Sequence, residues 1–216
     1  MLEFAGEDGG VHAWIGRGVP GVGEGEKLVI IREGDRIVLA EAMTEGAPLI
    51  EVAGAVDDAP LSVGPAKLNL ERNGTSETLS GRGALSRPPA ADGAGLARSI
   101  LALGTESASL ALRSDRPPGA DLGAERTDAW LLDPGAEPLP IGEPLLSTQY
   151  DQAGAATRAT LELWVGDSDE LPLRGAGIRQ AGVELDLDGW RFEAAFYRWT
   201  IEGAESEGSY MIWRAK

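Results

Sequence analysis

Val183-Glu184-Leu185-Asp186-Leu187-Asp188-Gly189-Trp190-Arg191-Phe192-Glu193-Ala194-Ala195-Phe196-Tyr197-Arg198-Trp199-Thr200-Ile201-Glu202-Gly203 is the stretch whose reading decides the fold. Apolar and charged residues alternate up to Asp188-Gly189, a dipeptide suited to a two-residue hairpin turn. An aromatic strand follows, then Glu202-Gly203 and a second turn, then the aromatic run Tyr210-Met211-Ile212-Trp213. Seven of the chain's twelve aromatic residues fall between Trp190 and Trp213. Large rings are costly to leave in water and well suited to gripping ligands. The segment marks a β protein and the place where a pocket is expected.

The same period of two extends outward from this segment. Leu28-Val29-Ile30-Ile31 and Ile37-Val38-Leu39 flank the turn-rich link Arg32 to Arg36 and read as a hairpin. Lys67 to Glu71 alternates strictly and meets Asn73-Gly74, with Thr75 to Leu79 as the return strand. Ser99 to Leu103 and Ser107 to Leu112 form a third pair, and Ala159 to Val165 alternates again. One short helix near Ala94 to Leu103 is the alternative reading of that region. The spacing of these strands is that of sandwiches and barrels. Thirty glycines and thirteen prolines break every longer helical stripe. The expected class is all-β and antiparallel: a lipocalin-like barrel, two half-barrels or a sandwich, with little helix.

The 216 residues suffice for one large all-β unit without covalent staples. Pro88-Pro89 and Pro117-Pro118 are stiff, extended loop segments. The first divides an N-terminal β lobe, 1–87, from an aromatic-rich C-terminal lobe, 90–216. His12-Ala13-Trp14-Ile15 and Asp128-Ala129-Trp130-Leu131 echo each other faintly, over too few residues to establish a repeat.

The net charge is −16, spread along the chain, and the lysines are Lys27, Lys67 and Lys216 alone. Such a field repels phosphate backbones and anionic lipid, so no nucleic-acid partner is expected. The absence of cysteine excludes a thiol nucleophile and disulfides and favours a reducing compartment. The acidic start Met1 to Asp8 is no signal peptide, and no run is long enough for a membrane span. These features give the expectation of a cytoplasmic protein without membrane insertion.

Familiar catalytic motifs are missing. His12 is the only histidine, no G-x-S-x-G elbow accompanies it, and beside Gly9-Gly10 it reads as a surface or strand-edge residue. Zinc lacks its usual ligands. Asp186-Leu187-Asp188-Gly189 and Asp167-Ser168-Asp169-Glu170 resemble calcium-loop fragments, but position twelve from Asp186 is Tyr197 rather than glutamate. Gly16-Arg17-Gly18 and Gly21-Val22-Gly23 do not match a phosphate-binding loop. No metal and no cofactor is expected.

The constellation with weight is the aromatic strand, split by parity. One face carries Trp190, Phe192, Ala194 and Phe196, an apolar set suited to packed core. The other carries Arg191, Glu193, Ala195, Tyr197 and Trp199. Rings mixed with a carboxylate and a guanidinium suit a water-containing ligand cavity, or an internal ion pair under aromatics at a barrel mouth without a ligand. On the first reading Tyr197 and Trp199 line the cavity, Trp130 and Trp164 add rings from neighbouring strands, and Arg191 is the geometric partner of Glu193. Glu193 is then the candidate acid, because a carboxyl in an apolar site is harder to ionise.

From Arg126 onward the chain resembles the lipocalin-like superfamily of carotenoid 1,2-hydratase and related terpenoid-modifying proteins. The residues that carry this are Arg126-Thr127-Asp128-Ala129-Trp130-Leu131-Leu132, Leu161-Glu162-Leu163-Trp164, and Tyr197-Arg198-Trp199-Thr200-Ile201-Glu202-Gly203, with the glycine at Gly208. Such proteins are commonly longer, and the hydratase's catalytic acidic motif has no match here. The resemblance implies a barrel-like fold with an apolar pocket for a small hydrophobic molecule, terpenoid- or polyketide-like. Non-redox hydration, cyclisation or isomerisation is the accompanying chemistry, and enzyme status stays open. The rival reading is a non-enzymatic β-sandwich module contacting a protein or carbohydrate. A third makes the aromatic strands a homodimer interface.

Overall fold

In the computed structural model the described residues are 1–44, 46, 48–57, 59–72, 74–89, 93–104, 106–165 and 172–216. Asn73 and the Asp167–Glu170 run lie outside them. Among the described residues sixteen strands, all antiparallel in their pairings, build two curled sheets. The first contains β1 (Leu2–Gly6), β2 (Val11–Arg17), β3 (Lys27–Glu33), β4 (Arg36–Met43), β5 (Leu49–Val52), β6 (Leu61–Arg72) and β7 (Thr75–Ser86). The second contains β8 (Leu96–Gly104), β9 (Ser109–Arg116), β10 (Arg126–Leu132), β11 (Leu139–Ile141), β12 (Glu143–Tyr150), β13 (Ala156–Trp164), β14 (Leu173–Leu187), β15 (Trp190–Ile201) and β16 (Ala204–Ala215). The short helix of the alternative reading near Ala94 to Leu103 is not formed, for Leu96–Gly104 is β8. The helical element among the described residues is a single 3₁₀ turn, Leu122–Ala124.

The strand orders, β4-β3-β2-β1-β7-β6-β5 and β11-β10-β9-β8-β16-β15-β14-β13-β12, share one plan. Each is an up-and-down meander whose first and last strands pair. The second sheet is a nearly closed, lipocalin-like barrel, because β10 lies against β12 past the short β11. The first is open between β4 and β5. There Lys27 Nζ donates to the carbonyls of Gly46 and Pro48 and ties β3 to the connection across the seam. The two Ala-Trp echoes fall on non-equivalent strands, β2 and β10. The repeat is thus one of topology rather than of those residues.

Alternation along the strands fixes which face each side chain covers. Ile100, Leu110, Leu112, Leu161, Leu163, Tyr197, Trp199 and Tyr210 fill the second barrel. Phe4, Ile15, Val29, Ile31 and Leu68 fill the first. The outer faces of the two barrels pack on each other through Trp14, Leu28 and Ile30 on one side and Phe192, Phe196, Met211 and Trp213 on the other. Ring centroids of Phe192 and Trp213 are 4.8 Å apart, and Trp14 lies 5.9 Å from Phe192. The apolar parity of β15 therefore meets the other barrel, and its mixed parity points into its own.

Both turns at the ends of β15 are tight. Gly189 takes φ 69° between Leu187 and Trp190, which face each other across the hairpin. At the far end Glu202 (φ 49°) and Gly203 (φ 83°) are both left-handed. Glu202 is steadied there by its own N–H to Arg174 O (3.0 Å) and by its carboxylate, which accepts from Arg174 N (2.5 Å).

Candidate functional site

The interior of the C-terminal barrel grades from apolar to ionic. At the end formed by the β15–β16 and β8–β9 turns lies an apolar recess of about 460 Å³, walled by Leu131, Leu163, Trp164, Leu173 and Ile201. Leu131, Leu163 and Ile201 also belong to the packed core that holds Tyr197 and Trp199. Those two rings, stacked at 5.5 Å, lie in that core and do not line the recess. Gly177 stands opposite Trp199, where a Cβ would meet the indole at 2.7 Å. Tyr210 meets Tyr197 edge-on at 5.7 Å.

The opposite end is closed by ion pairs. Glu193 Oε1 accepts from Ala156 N (2.7 Å) and Arg179 Nη1 (2.9 Å), and Oε2 accepts from both terminal nitrogens of Arg214 (3.3 Å). Tyr197 OH donates to Ala156 O at 2.7 Å, so Ala156 is held by both its backbone groups. Burial raises the Tyr197 phenol well above its ordinary pKa and keeps it a donor. Beside this set, Arg98 pairs with Glu125 and donates to Tyr210 OH (3.3 Å), which also meets Thr148 Oγ1 at 2.7 Å. Burial opposes the Arg98 charge, but Tyr210 and Glu125 outweigh it and hold its pKa up.

The predicted residues distribute unevenly over this frame. Trp164 is on the rim of the recess, 37 % exposed. Tyr197 and Trp199 are inward as parity required, yet both are wholly buried in ring contacts. Glu193 is 1 % exposed and belongs to the ionic end. Its partners are Arg179 and Arg214, while Arg191 sits on the exposed hairpin and pairs with Glu184 (2.5 Å). Arg179 reaches Glu193 because a bulge between Arg179 and Ala181 sets Arg179, not Gln180, opposite Tyr197. Trp130 is on the outer face, under the Arg113 guanidinium (5.0 Å), away from inward Ala129 and Leu131. Asp186 pairs with Lys216 (3.1 Å), and Asp188 is in the hairpin turn.

A second cluster, at the junction of the barrels, was missed. His12 is completely buried, contrary to its reading as a surface or edge residue. The flanking glycines suggested exposure, but the residue lies on the face of β2 that the second barrel covers. His12 Nε2 is 2.6 Å from Glu3 Oε1, and Ser209 Oγ donates to Glu3 Oε2 at 2.5 Å. Arg32 Nη2 is 3.1 Å from Glu207 Oε2, which lies 3.8 Å from His12 Nδ1. The Phe196 ring packs against His12 at 4.4 Å, tilted by 42°. Burial pushes the imidazole pKa down, and the carboxylates of Glu207 and Glu3 outweigh it, so the pKa stands above 6.5. For Glu207, burial pushes up, and His12 and Arg32 outweigh it downward. A charged Glu3 at an inter-sheet parity was the available sequence signal.

Three other openings among the described residues are larger, one of them a shallow site of about 520 Å³ beside β3 and β4. Another, about 1110 Å³ at the mouth of the N-terminal barrel, is rimmed by Glu24, Glu26, Glu71 and Glu77 and by loop glycines. The third, about 830 Å³, is an open groove along β12 to β15. These last two carry some apolar side chains, Val19, Val22, Leu49 and Leu70 in the former and Leu145, Leu146 and Leu161 in the latter, but both are more open to solvent than the recess.

No protein-family model matches the chain, and no characterised protein matches it in sequence. Solved structures do match it in shape. CghA, solved with Sch210972, is similar over 100 % of this chain and 86 % of its own, at 12 % identity and TM-score 0.57. A putative AttH from Nitrosomonas europaea aligns over 98 % of this chain and 67 % of its own, at 14 % identity and TM-score 0.51. Kievitone hydratase from Nectria haematococca aligns over 99 % and 86 %, at 7 % identity and TM-score 0.51. The chain has the lipocalin-like barrel fold of these proteins. At these identities the likeness is one of fold, and no sequence match ties the chain to carotenoid 1,2-hydratase.

Proposed function

We propose that the protein binds a small apolar molecule at the mouth of its C-terminal barrel. The observation that carries this reading is the 460 Å³ recess, whose apolar wall is continuous with the ring-filled barrel core. Its size is within the range of small-molecule sites, and its polar groups, Ser107, Asp133 and Glu202, are few and at the rim. The resemblance to terpenoid-modifying proteins and the Sch210972 complex of CghA support a terpenoid- or polyketide-like ligand. Trp164 is the ring assigned to ligand contact; Trp199 and Tyr197 lie in the packed core and do not line the recess. Convergence of rings inside the barrel favours this over an interaction module: Tyr197, Trp199 and Tyr210 are all buried there.

The acid-catalysed hydration, cyclisation or isomerisation that kievitone hydratase's name brings to mind needs an acid facing the ligand. Glu193 has both oxygens engaged at the opposite end of the barrel. Its proposed role here is to brace Ala156 and the β14 bulge. Titration with Nile red, a neutral apolar fluorophore, tests the binding site. Trp164→Ala is expected to weaken binding about tenfold, the ~1.4 kcal/mol expected of one ring contact. Unchanged affinity in a folded variant argues against the mouth as the site.

A further inference from the structure

We propose that the recess at the junction of the two barrels is a separate proton-transfer site, in which Glu207 is the base that meets the ligand and His12 is the positioning residue behind it. The recess measures about 450 Å³ and is walled by Gly6, Pro65, Gly81 and Leu103 together with Arg82 and Glu207. Glu207 is the member of the buried cluster that reaches it, with its side chain 30 % exposed, while His12 and Glu3 are fully covered. The relay behind Glu207 is built in a fixed order. Ser209 holds one oxygen of Glu3, the other holds His12 Nε2, and His12 Nδ1, which has no hydrogen-bond partner, is directed toward Glu207 at 3.8 Å. A shift of under ~1 Å in the Glu207 side chain closes that gap to hydrogen-bond distance.

Charges balance within the set. Glu3 and Glu207 are offset by protonated His12 and by Arg32, and Arg198 adds a further positive field on Glu207. Burying three ionisable groups, Glu3, His12 and Arg32, between two apolar clusters is costly when hydrocarbon side chains would pack there. Local rules of this kind are broken chiefly at functional sites. The lowered pKa of Glu207 keeps it ionised at neutral pH and therefore able to accept a proton.

The wall also indicates the ligand class. Glu207 and Glu7 on the wall, within a chain of net charge −16, oppose an anion. A cation would pair with Glu207 and engage the base. A small neutral β,γ-unsaturated carbonyl compound with an acidic adjacent C–H fits both limits. Glu207 takes the proton as the α C–H bond breaks, and the electron pair passes to the carbonyl oxygen as a dienolate facing Arg82. The same proton returns to the γ-carbon as the carbonyl re-forms and the C=C bond moves into conjugation with it. The product is an isomer, and no co-reactant is consumed.

The probe is 5-nitrobenzisoxazole, a neutral compound in which removal of the ring C–H drives N–O cleavage to a coloured cyanophenolate. Saturable turnover above an equal concentration of acetate is expected of the intact protein. Glu207→Gln should lower it at least ~100-fold, and Glu207→Asp should retain part of it. His12→Gln should lower the rate and raise the pH at which activity appears, because Glu207 then loses a cation that keeps it ionised. A merely structural histidine would leave that pH unchanged. No turnover above acetate, a Glu207→Gln protein as active as the original, or an unmoved pH profile in folded His12→Gln overturns the proposal.

Discussion

At the residue scale, Glu193 and Trp199 show what burial does to two groups on one face of β15. Trp199 is 0 % exposed and packed on Gly177, so Trp199→Ala should cost about 3–5 kcal/mol. Phe196, equally buried at the junction, should cost a similar amount. The two variants are compared by urea unfolding. A much smaller loss for Trp199→Ala would mean that its ring faces an open cavity. Glu193→Ala leaves Arg179 and Arg214 facing an apolar core without a counter-charge, and removal of one partner of such a pair typically costs about 3–5 kcal/mol. A loss below about 1 kcal/mol would show that the ionic end is not a brace. Parity in the sequence was enough to turn Glu193 and Trp199 inward. It was not enough to find Arg179, because a bulge changes parity partway along β14 and leaves no mark in the alternation.

At the element scale, the hairpins were legible and their closure was not. The pairs β3–β4, β6–β7, β8–β9 and β14–β15 are neighbours in sequence, and alternation with turn residues specifies each of them. The pairings β1–β7 and β8–β16 join the ends of each meander. Nothing in a strand's own pattern names a distant partner, so barrel and sandwich stayed open until these pairings were known. The Glu3–His12 contact, nine residues apart on the adjacent strands β1 and β2, escaped notice for another reason: the short run Leu2 to Gly6 carries too little alternation to mark it as a strand. Gly177→Ala tests the fit between β14 and β15. The added Cβ at 2.7 Å from the Trp199 ring should destabilise by about 1–3 kcal/mol. A neutral or stabilising outcome in thermal unfolding would contradict the close approach drawn here.

At the scale of the whole molecule, the two barrels are joined by an apolar seam with a charged strip inside it. His12 has a folded pKa above its unfolded value of 6.5, so its contribution is fully present below 6.5 and is lost as pH rises through the folded value. Glu207 has a folded pKa below 4.5, so its contribution is present above 4.5 and is lost as pH falls through the folded value. The junction should therefore be most stable between about pH 4.5 and 6.5, and the loss above that window should be absent in His12→Gln. Urea midpoints measured across pH for both proteins check this, and parallel curves would refute it. No helix among the described residues is long and apolar enough to cross a membrane.

The central claim is that the open, apolar end of the C-terminal barrel receives the ligand. Amide chemical-shift mapping of the isotope-labelled protein during Nile red addition tests it most directly. The account predicts saturable shifts concentrated at Leu131, Leu163, Trp164, Leu173 and Ile201, extending inward to Trp199, with Glu193 and Arg214 undisturbed. Shifts confined to the N-terminal barrel or the junction, or scattered without saturation, would contradict it.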